Sequence, residues 1–221
     1  MIVGLVGFIG AGKGTVADLL VQRHGYIKES FANSVKDSVS AVFGWDRSLL
    51  EGDTPDSRAW REQPDRFWSE KLGKPFSPRL ALQLMGTEAG RDVFHQDLWI
   101  YTVERRCDPN KDYVIPDVRF PNEIESIQRM GGKIVRVHRG AEPIWWGEAL
   151  SSNRQKDYNL MKQNYPEVHY SEWAWIGCNY DCSITNNHSL EELVIVVDTL
   201  AKNLYNNVHV DANEELNYET F

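Results

Sequence analysis

The stretch "GFIGAGKGT", residues 7–15, decides the fold of this chain. Residues 2–8 form a continuous apolar run, which is how a central strand of a parallel sheet reads when both its faces are buried. After the stretch, "GTVADLLVQRHG" places Val16, Leu19, Leu20 and Arg23 at helical spacing, with Gly25 as a stop. A strand, a glycine-rich turn and a helix in that order make a phosphate cradle. Backbone N–H groups point inward, the helix presents its positive end, and one lysine reaches the outer phosphates. Gly7, Gly10 and Gly12 supply the tight backbone here, and Lys13 the cation. The widespread form of this loop has a hydroxyl residue directly after the lysine, where it binds Mg²⁺. In this chain that position is Gly14 and the hydroxyl comes one residue later, at Thr15. The expectation is that Gly10, Ala11, Gly12, Lys13, Gly14 and Thr15 hold ATP.

Strands and helices alternate along the rest of the chain. "YIKESF" reads as a short second strand and "NSVKDSVSAVFG" as an amphipathic helix closed by Gly44. Residues 45–78 are rich in Arg, Asp, Trp and Pro with no long apolar face, and read as short helices and loops lying over the domain rather than as core. "PRLALQLMGTEAG" and "QDLWIYTVERRC" read as helices, "DYVIPD" as a buried strand, "NEIESIQRMGG" as a helix and "KIVRVHR" as a third convincing strand. Residues 140–180 turn irregular again and carry Trp145, Trp146, Trp173 and Trp175, which fit packing of an insertion better than stacking on DNA. "CSITNN" gives a last strand, and a Ser189/Glu192 capping box opens a long final helix.

This alternation predicts a three-layer α/β fold of the P-loop NTPase type. A parallel sheet is flanked by helices, and ligands sit at the carboxyl ends of the strands. We expect one domain over residues 1–205, with an acceptor-binding insertion at 45–78, a lid-like insertion at 140–180 and a loose acidic tail at 206–221.

Bulk properties narrow the function. The 221 residues suffice for one sizeable α/β domain. A net charge of −8 argues against stable nucleic-acid or membrane-surface binding, both of which lean on a basic face. Three cysteines, Cys107, Cys178 and Cys182, are an odd number with no dense framework, which suits a reducing cytoplasm. No apolar run approaches the roughly 20 residues that span a bilayer, and the start of the chain shows no basic region or cleavage site of a signal peptide. Cys178, Cys182 and His188 lack the spacing of a zinc ribbon or finger.

The next informative stretch is "YVIPDVRFPNE". Asp117 ends a strand where a carboxylate can organise Mg²⁺ or its waters beside a triphosphate, unless it merely forms a turn. Arg119 and Glu123 follow near the same strand end, and a simple ion pair between them is the competing reading. A phosphoryl-transfer site also has to neutralise the acceptor, so arginines should converge. Arg58, Arg61, Arg79, Arg91, Arg119 and Arg139 are candidates that charge alone does not rank.

The loop, "LEGDTPDSR", "RLALQLMGTE", "VIPDVRFPNEIESIQRMGGKIVRVHRG" and "CSITNNHSLEEL" together resemble the bacteriophage deoxynucleoside monophosphate kinases. The "GxGKGT" loop is similar to that of nucleoside monophosphate kinases generally, and the guanine-reading Asn-Lys-x-Asp of GTPases is missing after residue 100. The similarity runs in patches from residue 2 to about 200, weakest across 59–75 and 141–168. It implies transfer of the ATP γ-phosphoryl group to a dNMP, with Mg²⁺ near Asp117 and Thr15. It implies Lys36, Arg58 and Arg79 at the acceptor phosphate and Gly86 and Thr87 lining the acceptor pocket. Trp99 is implied against the base or sugar, and Asp117, Arg119 and Glu123 in the transfer site. Bland alternatives stand beside these: core packing for Trp99, a solvent-facing Lys36, a turn cap at Thr87. The family often has an acidic residue where Gly14 stands, and the segment from Arg139 to His169 is longer than expected, so Arg154 and Lys156 are only weak candidates for the transferring group. Another acceptor, such as dephospho-coenzyme A, or a non-catalytic nucleotide-binding protein are the alternatives. The bases accepted, and whether the chain forms a homodimer, stay open.

Overall fold

The computed structural model describes residues 1–205; the segment from 206 onward, expected to be a loose tail, lies outside the described residues. The chain forms two compact units, one made of Met1–Glu29 with the chain from Cys107 on, the other of Ser30–Arg106.

The first unit is built on five strands: β1 (Ile2–Val6), β2 (Ile27–Lys28), β3 (Tyr113–Ile115), β4 (Lys133–His138) and β5 (Cys182–Thr185). All pairings are parallel, in the order β2-β3-β1-β4-β5. The apolar run that opens the chain is the middle strand, and every residue of it is buried. Helices α1 (Lys13–His24) and α10 (Leu190–Tyr205) cover one face, where Val16, Leu20, Leu193, Val197 and Leu200 meet Val3, Leu5, Val135 and Val137. On the opposite face α7 (Pro121–Arg129) packs Ile127 against Gly4 of β1. The expected capping box opens α10: the Ser189 N–H donates to Glu192 Oε2 at 3.0 Å and the Glu192 N–H to Ser189 Oγ at 3.3 Å. After β1 the chain crosses to the β2 side, and after β4 to the β5 side. The switch point therefore lies between β1 and β4, and residues 7–15 begin at the carboxyl end of β1, where such a crevice forms.

Residues 140–180, read as irregular, contain two helices, α8 (Trp146–Gln155) and α9 (Asn159–Asn164), and a 3₁₀ turn at Tyr170–Glu172. Helix α8 escaped sequence reading because it buries only Ala149 and Ser152, too little for an apolar stripe. The segment's burial comes from Met161, Trp173, Ala174, Trp175 and Ile176.

The second unit contains α2 (Asn33–Phe43), closed by Gly44 as expected, then α3 (Pro55–Glu62), α4 (Arg66–Leu72), α5 (Pro78–Leu84) and α6 (Leu98–Arg106). The expectation that residues 45–78 form no core is corrected here. Trp45, Leu50 and Phe76 bury themselves with Val39 and Ala81, and Phe43, Trp60 and Trp68 pack around them. Phe43 and Trp45 stack at 4.9 Å, and the edge of Trp68 meets Phe43 at 5.1 Å. The polar ends of these indoles are satisfied, Trp45 Nε1 donating to Asp65 Oδ2 and Trp68 Nε1 to the Phe43 carbonyl. A few large rings do the work of many aliphatic residues, so no periodic run announces the core.

A second difference follows α5. The sequence predicts one helix over "PRLALQLMGTEAG", but the backbone widens into a π-helical segment, Met85–Phe94. Trp99 on α6 is buried, and its indole N–H donates to the Gly86 carbonyl at 2.8 Å. Its ring is thus committed to packing within this unit, the competing reading for that residue. No helix of the described residues is long and apolar enough to cross a membrane.

Candidate functional site

The phosphate loop is preshaped by its surroundings. Gly12 takes φ +97, and a side chain there would place its Cβ 2.2 Å from Asn186 Nδ2. Only glycine satisfies both the backbone and that approach. The same Asn186 amide donates to the Ala11 carbonyl at 2.9 Å, so the residue just past β5 pins the loop from the far strand. Phe8 is held by three indoles, with ring centroids 5.3 Å from Trp145, 5.8 Å from Trp146 and 5.3 Å from Trp175. Arg136 on β4 stacks on Trp146 at 4.6 Å and pairs with Glu142, fixing the indole cluster beneath the loop. Gly14 behaves differently: a Cβ there meets no heavy atom within 4 Å, so packing does not require the missing hydroxyl to be missing. Thr15 is exposed in the first turn of α1.

Lys13 folds over its own loop and donates to the carbonyls of Gly7 at 2.6 Å and Phe8 at 2.9 Å. Burial pulls its pKa down to about 8; the Arg119 charge lowers it further, and Glu172 and Asp117 oppose the shift. Lys13, Asp117, Arg119 and Glu172 therefore share one electrostatic neighbourhood, and three of the four were expected there. Arg119 does not pair with Glu123. Its guanidinium donates to Glu172 Oε1 at 2.7 Å and Ser171 Oγ at 3.2 Å. Glu123, expected at the acceptor, is only 3% exposed, and its Oε2 accepts from the N–H groups of Arg119 at 2.8 Å and Phe120 at 3.1 Å. That carboxylate shapes the turn leading from the strand end into α7, and so aims Arg119 instead of facing a ligand itself.

The lysine gives a pH prediction. Phosphates bound at this loop would hold Lys13 protonated, while in the free protein it loses its proton as pH rises through about 8. Binding above that pH must take up a proton, so ATP affinity should be flat between pH 7 and 7.5 and fall by up to ~10-fold per unit above 8. Titration calorimetry in buffers of different ionisation enthalpy checks this, and a flat profile to pH 9.5 sinks it.

The second unit gathers a different charge cluster. Thr54 caps α3 and Pro55 occupies its first turn, which sets Arg58 and Arg61 one helical turn apart. Arg58 Nη1 lies 3.4 Å from the Gly52 carbonyl and 3.3 Å from that of Asp53, and Arg61 Nη1 lies 3.5 Å from the carbonyls of Leu50 and Glu51. Gly52 has φ +67, and a Cβ on it would overlap the Arg61 guanidinium at 2.0 Å. With glycine at this position, the Arg61 guanidinium lies directly across the backbone. Burial lowers the Arg61 pKa, and the Arg79 and Arg58 charges lower it further against the pull of Glu62. None of these three guanidiniums makes an ion pair among the described residues. These three like charges act on one another in an acidic chain and have no carboxylate in an ion pair with them among the described residues, the kind of arrangement a bound anion would relieve.

Other expected acceptor residues are placed less directly. Lys36 Nζ donates to Glu51 Oε2 at 2.6 Å, and Arg47 binds the other oxygen of the same carboxylate. Lys36 is thus paired, yet Glu51 also acts on Arg61, which keeps this pair next to the arginines. Gly86 and Thr87 lie in the π-helical segment, with Thr87 exposed. Arg139, Arg154 and Lys156 are exposed.

Sequence reading missed two contributors and left a third unranked. Glu172 lies 53 residues from its arginine, with nothing local to mark it. Asn186 stands at a strand end, a recognisable position. Arg61 was among the candidates but was not singled out, since only the Gly52 contact distinguishes it.

No family model matches the chain. A relative from Acanthamoeba polyphaga mimivirus, assigned as a deoxynucleotide monophosphate kinase, is 30% identical over 206 residues, spanning 87% of this chain and 91% of the relative. The chain belongs to the deoxynucleotide monophosphate kinase family. Across a shorter stretch of 55 residues this family member is also 47% identical to the deoxynucleoside-5'-monophosphate kinase of Escherichia phage T5, covering 24% of this chain and 22% of that one. Among solved structures, shikimate kinase from Aquifex aeolicus aligns over 92% of this chain and 98% of its own at 13% identity, with a TM-score of 0.40. The APS kinase of Mycobacterium tuberculosis aligns over 91% and 96% at 15% identity, with a TM-score of 0.37.

Proposed function

We propose that the chain transfers the γ-phosphoryl group of ATP to a deoxynucleoside monophosphate, giving ADP and a dNDP. The observation that carries the reaction type is that the chain holds two separate cation sets. One is Lys13 and Arg119 at a glycine cradle, the other the unpaired Arg58, Arg61 and Arg79. The family relationship carries the acceptor class. Transfer between phosphates needs positioning and charge neutralisation more than covalent help, and the acceptor oxygen is already anionic. In this reading the loop from Gly7 to Thr15 cradles the donor phosphates and Lys13 leaves its two carbonyl partners to follow the transferring group. Arg58, Arg61 and Arg79 hold the acceptor phosphate, with Lys36 beside them. Arg119 stands close enough to Lys13 to serve the group in transit. An exposed hydroxyl at Thr15 and the Asp117 carboxylate near Lys13 are oxygen donors of the kind a hydrated Mg²⁺ takes. Bound there, the ion would neutralise donor phosphate charge. Three cysteines without a disulfide fit action in a reducing host cytoplasm.

A coupled ADP-release assay with ATP and Mg²⁺ against dGMP, dTMP, dCMP, dAMP and GMP tests the proposal. Turnover with at least one deoxynucleotide is expected. ATP binding without turnover on any of them would transfer the chain to another acceptor, and absence of ATP binding would remove the loop reading as well.

A further inference from the structure

Residues 158–173 of the first unit line a half-open cavity of about 510 Å³, walled chiefly by Tyr158, Met161, Tyr165, Tyr170 and Trp173. Ligand sites for small organic molecules commonly fall between roughly 300 and 1,000 Å³, so the space suits a whole nucleoside. Its rings are set against one another: Tyr170 meets Trp173 edge-on at 4.8 Å, and Tyr158 lies 5.1 Å from Tyr170 and 5.6 Å from Trp173. Such mutual contacts lock the rings before any ligand arrives, which lowers the cost of ordering them on binding. The three tyrosines are only half buried. Lys162, exposed and without an ion pair among the described residues, lines the same cavity and supplies a cation to it.

The cavity's place in the chain narrows its occupant. Tyr170 begins the 3₁₀ turn whose last two residues, Ser171 and Glu172, hold the Arg119 guanidinium, and Arg119 acts on Lys13. Phe120, next to Arg119, touches the Tyr170 ring at 6.1 Å. An aromatic-walled space one turn from a phosphate-handling cluster matches a molecule that carries a flat ring and a phosphate. We propose that this cavity takes a nucleobase, stacked on its half-buried tyrosine walls, which the buried Trp173 backs. Choosing a nucleobase over another flat ring rests on the kinase reading above. The base can belong to the acceptor nucleotide or to a separate nucleoside effector.

The test uses the full chain and four probes without phosphate: thymidine, deoxyguanosine, deoxycytidine and deoxyadenosine. Binding to the unaltered protein is compared with Val168→Trp, which fills the cavity, and Tyr165→Ala, which removes a wall; thermal melts establish that each variant is folded. At least one nucleoside should bind, and about 10-fold or more weakly to both variants, with ATP affinity unchanged. Inhibition of ADP release that is competitive with the dNMP assigns the cavity to the acceptor's base, and non-competitive inhibition assigns it to an effector. No nucleoside binding at millimolar concentration, or equal binding by the variants, overturns the proposal. Turnover of a dNMP alongside that negative result would leave the kinase reading intact, so the two fail separately.

Discussion

Lys13→Met is expected to lower kcat/KM by ~10³-fold or more, the scale on which a preorganised charge at a transferring phosphoryl group acts, and to leave the protein folded. The stability half of this expectation has its own sign. A lysine whose folded pKa lies near 8 instead of 10.5 is carrying its charge in a site that disfavours it. That cost, on the order of 3 kcal/mol by pKa linkage, is fully present below pH 8 and fades as pH rises from 8 towards 10.5. Methionine keeps the length and removes the charge. It forfeits the two hydrogen bonds to the Gly7 and Phe8 carbonyls, each worth about 1 kcal/mol net. The melting temperature at pH 7 should therefore stay level or rise while activity collapses. Parallel melts and ADP-release assays read both quantities. Near-normal turnover would remove Lys13 from the chemistry, and a collapsed melt would mean the loop needs its lysine to fold.

Arg58→Ala should lower kcat/KM for the acceptor on the order of 10²-fold, as expected when one partner of a charge-assisted phosphate contact is truncated. ATP affinity should not change, because in this reading the donor phosphates are held by Lys13 and the backbone of the loop and not by this arginine. Arg58→Lys should recover only part of the loss, since an ammonium cannot reproduce the planar fork of a guanidinium. Arg61→Ala is the informative companion. Its guanidinium lies across Gly52, near two carbonyls, so removing it should both weaken the acceptor and relieve the mutual repulsion of the three arginines. Initial-rate kinetics at varied dNMP and fixed saturating ATP separate these effects. An unchanged acceptor KM and kcat in both alanine variants would take the anion site away from this cluster.

The parts of this architecture that sequence reading reached are those written in consecutive residues. The phosphate loop, its strand and its helix occupy residues 2–24, although Asn186 and the three indoles that hold the loop come from far along the chain. Asp117 and Arg119 were legible because a buried strand ending in a carboxylate is a short pattern. The second unit was not legible: Trp45, Leu50 and Phe76 form a core from positions far apart in a polar stretch, and no periodicity records that. Trp99 shows the same limit from the other side. Sequence could place an indole on a helix, but only the Gly86 carbonyl, 13 residues earlier, shows what its N–H is for. Glu172 was out of reach because an ion pair across 53 residues depends on where the chain returns after β4.

The indole cluster under Phe8 has an optical consequence. The eight tryptophans divide evenly, with Trp45, Trp60, Trp68 and Trp99 in the second unit and Trp145, Trp146, Trp173 and Trp175 in the first. Three of the latter touch a side chain of the phosphate loop itself. Emission from those three is expected to change when Phe8 moves, so adding ATP and reading the protein's own fluorescence would follow that loop without a label.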